Sequence, residues 1–259
     1  MRVVSLACSN TEIVCALGLA DLLVGVDDHS DFPPEVVARL PRVGPDLQID
    51  IDAVAALKPD LVLASLTVPG HEAIVEGLEQ AGLPFLAPEP VAIADMLDDV
   101  RTIADALGHA ERGVALAEEL AAGLAPRPPL PHRPKVLVEW WPKPVIVPGR
   151  DSWVTQLLDR AGAENPLASD PCKSRPVTDA EVVAMAPDAV VVCWCGVPFP
   201  RYRRDVVTRR AAWAGTPALR RDQVHLVPEA FLGRPGPRLV QGLEALRAVA
   251  ESAARYEAG

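Results

Sequence analysis

Short apolar runs alternate with stretches of helical period through the first third of the chain. The spacing predicts a strand over Arg2 to Leu6 and a helix over Asn10 to Leu17 that stops at Gly18. A second strand is predicted over Leu22 to Val26. A short helix follows over Ile51 to Leu57, closed by Lys58-Pro59, and then a third strand over Asp60 to Ala64. The next helix runs from about Glu72 to Ala81 and ends at Gly82, before a fourth strand over Leu83 to Ala87. Strands separated by helices imply a mostly parallel sheet with both faces covered.

From Ile93 to Leu124 the pattern reads as helical, with apolar residues recurring at Met96, Val100, Ile103, Leu107, Val114, Leu116 and Leu120. A glycine inside a helix costs only about 1 kcal/mol. Gly108 is therefore expected to interrupt this run without ending it, leaving one helix about 45 Å long. Two helices broken at Gly108-His109 are the alternative. A connector rich in proline spans 126–134.

A second unit begins at Lys135, with strands predicted over Val136 to Glu139 and Val145 to Val147 and a helix over Trp153 to Ala161 closed by Gly162. Further on come a helix over Asp179 to Ala186, strands over Asp188 to Cys193 and Val224 to Val227, and a closing helix over Pro237 to Tyr256. The run from Ile51 to Leu63 resembles that from Thr178 to Val191: each is a short helix, a proline, and an aspartate leading a strand. The expected class is therefore α/β. Two Rossmann-like lobes (1–92 and 135–259) with mostly parallel sheets are joined by a long interdomain helix (93–125) and the 126–134 connector, with a ligand cleft between the lobes.

Hydrophobic residues make up 49% of the chain and aromatic residues 4%, so most of the core must be aliphatic. The formal charge of -10 argues against a nucleic-acid surface, which needs a basic stripe. No stretch is long and apolar enough to span a bilayer. Met1-Arg2 leads directly into the first strand. The expected location is periplasmic or cell-surface if a leader precedes this sequence, and cytoplasmic if Met1 is the native start.

The five cysteines (Cys8, Cys15, Cys172, Cys193, Cys195) are odd in number, and Cys193-Trp194-Cys195 lacks CxxC spacing. They read as structural or ligand-lining thiols rather than redox or zinc groups. No GxSxG elbow, P-loop or GxGxxG fingerprint occurs, and Ser152 is placed to cap the helix at Trp153, so binding is favoured over catalysis.

An ordered set of short segments carries a family resemblance. It comprises Arg2-Val3-Val4-Ser5-Leu6 with Asn10-Thr11-Glu12-Ile13, Val24-Gly25-Val26-Asp27, Ser30-Asp31-Phe32-Pro33-Pro34, Pro41-Arg42-Val43-Gly44, Leu57-Lys58-Pro59-Asp60 and Arg234-Pro235-Gly236-Pro237-Arg238. Over nearly the whole chain this resembles the helical-backbone (class III) periplasmic substrate-binding proteins of ABC importers for cobalamin, haem or iron-siderophores. Trp140-Trp141-Pro142 and Val192-Cys193-Trp194-Cys195 bring it nearest to the cobalamin branch. The resemblance implies no intrinsic cofactor. It implies cobalamin or a related corrinoid as transported ligand, with haem or a ferric siderophore as alternatives. The implied partners are that metal-chelate molecule and a permease dimer, with the protein itself a monomer. A cytoplasmic corrinoid or haem carrier without a permease is a further alternative.

In open parallel sheets, ligands sit beyond the carboxyl ends of the strands. That rule selects Cys8, Ser9 and Asn10; His29 and Ser30; and Leu66 and His71 in the first lobe. In the second it selects Trp140, Trp141, Trp194, Phe199, Glu229, Phe231 and Arg234. Ser9 or Asn10 is also placed to cap the first helix. His29 and His71 are candidate axial ligands to a chelated metal. Adjacent residues of an extended segment face opposite ways, so one of Trp140 and Trp141 is expected in the core and the other on the ligand. The tryptophan that cobalamin receptors often carry after the third strand is absent here. By resemblance, Glu72 is the permease contact of the first lobe and Asp205 that of the second, although Asp205 stands among Arg201, Arg203, Arg204, Arg209 and Arg210.

Overall fold

A computed structural model describes residues 1–255 and divides the chain into two compact units, the first Met1–Ala121 and the second from Ala122 onward. In the first unit β1 (Val3–Ser5), β2 (Leu23–Val26), β3 (Leu61–Leu63) and β4 (Phe85–Leu86) form one parallel sheet in the order β2-β1-β3-β4. A parallel bridge from Val26 to Arg42 lengthens its β2 edge. The inner strands β1 and β3 are buried along their whole length, as expected of strands covered by helices on both faces. Val4, Leu6, Val43, Val54, Val62 and Leu78 build the core.

In the second unit β5 (Val136–Glu139), β9 (Ala189–Val192) and β10 (Val224–Leu226) form a parallel sheet in the order β10-β9-β5. A separate antiparallel sheet joins β6 (Trp141–Pro142), β7 (Val145–Pro148) and β8 (Ser174–Val177). The apolar pattern did not disclose β8, which reads Ser-Arg-Pro-Val and carries its proline on an edge strand. The closing helix is Leu239–Ala254, two residues shorter at its start than expected. Tyr256, its expected last residue, lies outside the described residues.

The expected single long helix is two helices, Ile93–Ala106 and Ala110–Gly123. Gly108 sits at φ +79°. Its N–H bonds to the Asp105 carbonyl and that of His109 to the Ala104 carbonyl, the paired bonds of a Schellman cap. The same two bonds close the helices before Gly18, Gly82 and Gly162. Just beyond the turn the two helices touch, with Gly113 so close to Ala104 that a Cβ there would lie 2.5 Å from the Ala104 Cβ. The chain passes from the first unit into the second within the last turn of the helix Ala110–Gly123.

The repeat seen in the sequence extends to individual bonds. In the first unit Asp50 caps the helix Ile51–Ala56, accepting from the Ala53 N–H, and Lys58 takes a left-handed φ of 49° before Pro59. In the second, Thr178 caps the helix Asp179–Met185 in a capping box with Glu181, and Ala186 takes φ 46° before Pro187. The aspartate after each proline then ties down the neighbouring strand. Asp60 accepts from the Arg2 N–H at 2.6 Å, and Asp188 accepts from the Lys135 N–H at 2.9 Å.

Candidate ligand-binding site

The loops beyond the carboxyl ends of the first sheet are held by a buried polar chain. Asp27 ends β2 with no exposed surface and accepts from the Ser30 hydroxyl at 2.5 Å and the His29 N–H at 2.9 Å. Burial pushes its carboxyl above the usual range despite these bonds. Ser30 meets the Thr11 hydroxyl at 2.8 Å, and Thr11 donates to Ser5 at 2.8 Å. Arg42 donates to the carbonyls of Asp27 and Ser30, both at 2.7 Å, and so fixes the turn that presents His29.

Neither Ser9 nor Asn10 caps the first helix. That helix starts earlier than expected, at Cys8, and its cap position is Ala7, without a side-chain bond. Ser9 is buried, and Asn10 donates to the Ala64 carbonyl at 2.7 Å, tying the helix to the end of β3. Leu66 is half-buried, its N–H bonded to the Pro88 carbonyl.

His29 and His71, 42 residues apart in sequence, converge on one residue that sequence reasoning missed. The His29 Nε2 lies 3.7 Å from Asp46 Oδ1 and the His71 Nε2 lies 3.8 Å from Asp46 Oδ2. The His71 ring, aided by His29, holds the Asp46 carboxyl below the usual range against a partial burial that raises it. The available signal was Gly44-Pro45-Asp46: this loop follows the bridge at Arg42 and so also leaves the carboxyl edge of the sheet. Among the described residues, no group of three or more His, Cys, Asp and Glu side chains is arranged to hold a metal ion.

In the second unit the two adjacent tryptophans divide as alternation requires. Trp140 is half-buried against Trp153, with ring centroids 6.4 Å apart, and Trp141 is exposed. Trp194, expected to line the ligand, lies instead in the core at 5% exposure, because its indole N–H donates inward to Glu139 at 2.9 Å. Glu139 has no exposed surface and is gripped by Arg210, with bonds of 2.5 and 3.1 Å. The Arg210 guanidinium in turn lies 4.3 Å from the centre of the Trp213 ring. Phe199 is exposed and packs edge-on against Tyr202, whose hydroxyl donates to the Trp194 carbonyl and accepts from the Glu229 N–H. Glu229 pairs with Arg234 at 3.0 Å, and Phe231 is half-buried beside them.

All five cysteines are free thiols, and burial pushes Cys193 well above the ordinary thiol range, which suits an inert structural role. Glu72 is exposed in the first turn of helix His71–Gln80, its carboxylate accepting from the Gly70 N–H. Asp205 is held by Arg203 at 3.0 Å and Arg209 at 3.3 Å. Arg210, part of the basic run in sequence, belongs to the Glu139 pair, and Arg204 is drawn to Asp222.

Two α/β units joined by a helix, each opening its loops at the carboxyl edge of a parallel sheet, define a substrate-binding protein of the helical-backbone type. A sequence profile described as periplasmic binding protein matches residues 3–230, and the chain belongs to that family, whose members are carriers and not enzymes. It is 30% identical over 254 residues to the uncharacterized ABC transporter substrate-binding lipoprotein YvrC of Bacillus subtilis (strain 168), covering 95% of this chain and 78% of that one. It is 26% identical over 251 residues to the vitamin B12-binding protein of Vibrio parahaemolyticus, covering 93% and 86%. Among solved structures, the apo form of the periplasmic heme-binding protein RhuT from Roseiflexus sp. RS-1 matches with a TM-score of 0.84 at 28% identity, covering 98% of both chains.

Proposed function

We propose that this protein is the substrate-binding component of an ABC importer, that its ligand is a metal chelate, most specifically cobalamin or a related corrinoid, and that it hands this ligand to a permease dimer. One observation carries the reading. Of the eight large apolar side chains exposed among the described residues, five follow the carboxyl ends of strands in their unit's parallel sheet: Phe32, Leu47 and Val68 in the first unit and Trp141 and Phe199 in the second, at 39–47% exposure. Exposed apolar surface costs about 25 cal/mol per Å² relative to burial, so its concentration at these edges marks a binding surface. A broad macrocycle is held by such flat apolar groups, with a few polar side chains setting its orientation. Taken by itself, the first unit offers His29, Ser30, Leu66 and His71 as candidate contacts, with Cys8, Ser9 and Asn10 behind them. Trp140, Trp141, Phe199, Glu229, Phe231 and Arg234 are those of the second.

The likeness to a vitamin B12-binding protein over most of both chains supports the corrinoid reading. The likeness to a heme-binding protein, with two histidines at the first unit's edge, favours haem as the second reading. In either case the protein works as a monomer on the outer side of the cytoplasmic membrane, and the exposed Glu72 is a permease contact. Asp205, already neutralised by two arginines, is the weaker candidate on the second unit.

The test is a visible-absorption titration of purified protein with cyanocobalamin, dicyanocobinamide, haem and a ferric siderophore, each followed by desalting. Stoichiometric retention of a corrinoid is the expected outcome. Retention of haem alone would replace the corrinoid by haem. Retention of none would sink the chelate reading.

A further inference from the structure

We propose that His71 and Asp46 together read a primary carboxamide on the rim of the ligand, an assignment that rests on the corrinoid reading above and names the group recognised. The His71 side chain is 7% exposed, and its Nε2 is buried without a hydrogen-bond partner. Its Nδ1 accepts the Val68 N–H in a long bond of 3.4 Å, which puts the ring hydrogen on Nε2. The orphan is therefore a donor, and a buried donor left unpaired costs stability unless something else accepts from it. Metal coordination through Nε2 would require the ring hydrogen to move to Nδ1 and the Val68 bond to break, whereas hydrogen bonding keeps both in place.

The nearest acceptor, Asp46 Oδ2, is 3.8 Å away, too far for a hydrogen bond. Asp46 is itself partly exposed, and an ordinary carboxylate there is an acceptor. His29 lies against its other oxygen, which leaves Oδ2 facing His71. A buried donor beside a partly exposed acceptor complements a group that accepts and donates through neighbouring atoms. In a primary amide the oxygen and nitrogen are about 2.3 Å apart. Two bonds of about 2.9 Å, each tilted by about 15°, span the 3.8 Å between Nε2 and Oδ2. The amide oxygen takes the His71 hydrogen and the amide nitrogen donates to Asp46. The His71 Nε2 is closed to solvent, so admission of the amide requires the partly exposed Asp46 side chain to turn aside. A carboxylate in the same place would set like charge against Asp46. Corrinoids carry primary amides around the ring and haem carries carboxylates, so the pair discriminates between them.

The experiment compares affinities for cyanocobalamin and for each of its monocarboxylic acids, in which one rim amide is hydrolysed, using the full chain, Asp46→Asn and Asp46→Ser. The unaltered protein should prefer cyanocobalamin over at least one of the acids by about tenfold or more. Asp46→Asn, whose amide can donate to a carboxylate, should bring that ratio to one or below. Asp46→Ser should lose the preference without tightening on the acid. Melting curves of the variants report on folding. Binding of cyanocobalamin and all its acids with equal affinity, or a ratio unmoved in both variants, would overturn the amide assignment and leave the corrinoid reading standing. Failure of the unaltered protein to retain any corrinoid would overturn both.

Discussion

Glu139 carries a carboxylate into the interior of the second unit, where Arg210 and the Trp194 indole together meet both of its oxygens. Removing one partner of such a buried pair leaves the other charge without water or counter-ion, at a cost of about 3–5 kcal/mol. Glu139→Ala is therefore expected to lose that much stability in urea titration. A loss below about 1 kcal/mol would mean that the pair is solvated. Little of this was legible in the sequence. Glu139 ends an apolar run and looks like the polar tip of a strand, and its partner is 71 residues away within a run of arginines that reads as a solvated face. The same blindness placed Trp194 on the ligand: a residue just past a strand end can turn inward or outward, and an acceptor distant in sequence decided it. Trp140 and Trp141 differ in exposure, half-buried against exposed, as neighbours in an extended segment do. His29 and His71 were found from strand ends, but Asp46 was not, because the two-residue bridge at its loop has no apolar run to announce it.

At the scale of elements, spacing located nearly every strand of the two parallel sheets and every longer helix, with ends displaced by a residue or two. It failed where the helical period runs on across a tight turn. Met96, Val100 and Ile103 continue into Val114, Leu116 and Leu120 as though on one rod, whereas a Schellman cap turns the chain between them. Glycine was weighed only for its propensity, not for the left-handed cap that it alone makes cheaply. The close approach that follows is testable. Gly113→Ala forces a methyl group against Ala104 and should cost about 1–3 kcal/mol. Gly108→Ala meets no neighbour and should cost only about 1 kcal/mol, through its left-handed backbone. Equal losses in thermal denaturation would show that the two helices yield to the added methyl group without steric penalty.

For the molecule as a whole, the chain passes between units within one helix. A helix bends less readily than two or three extended crossovers, so affinity is expected to come from a surface that changes little on binding. Small-angle scattering should give the same radius of gyration with and without ligand, and a clear fall on binding would refute this. The repeated helix-proline-aspartate unit was the most legible large-scale feature, since each part of it is a local signal. It also governs how the protein can be handled. Asp60 fastens the backbone of Arg2 at the start of β1, a central strand of its sheet, while Asp46 and His71 stand beyond the opposite, carboxyl edge. A fluorophore, affinity tag or immobilising linker attached beside Arg2 would thus hang from the far rim of the first unit, and a biosensor anchored there would leave that unit's own recognition loops unobstructed.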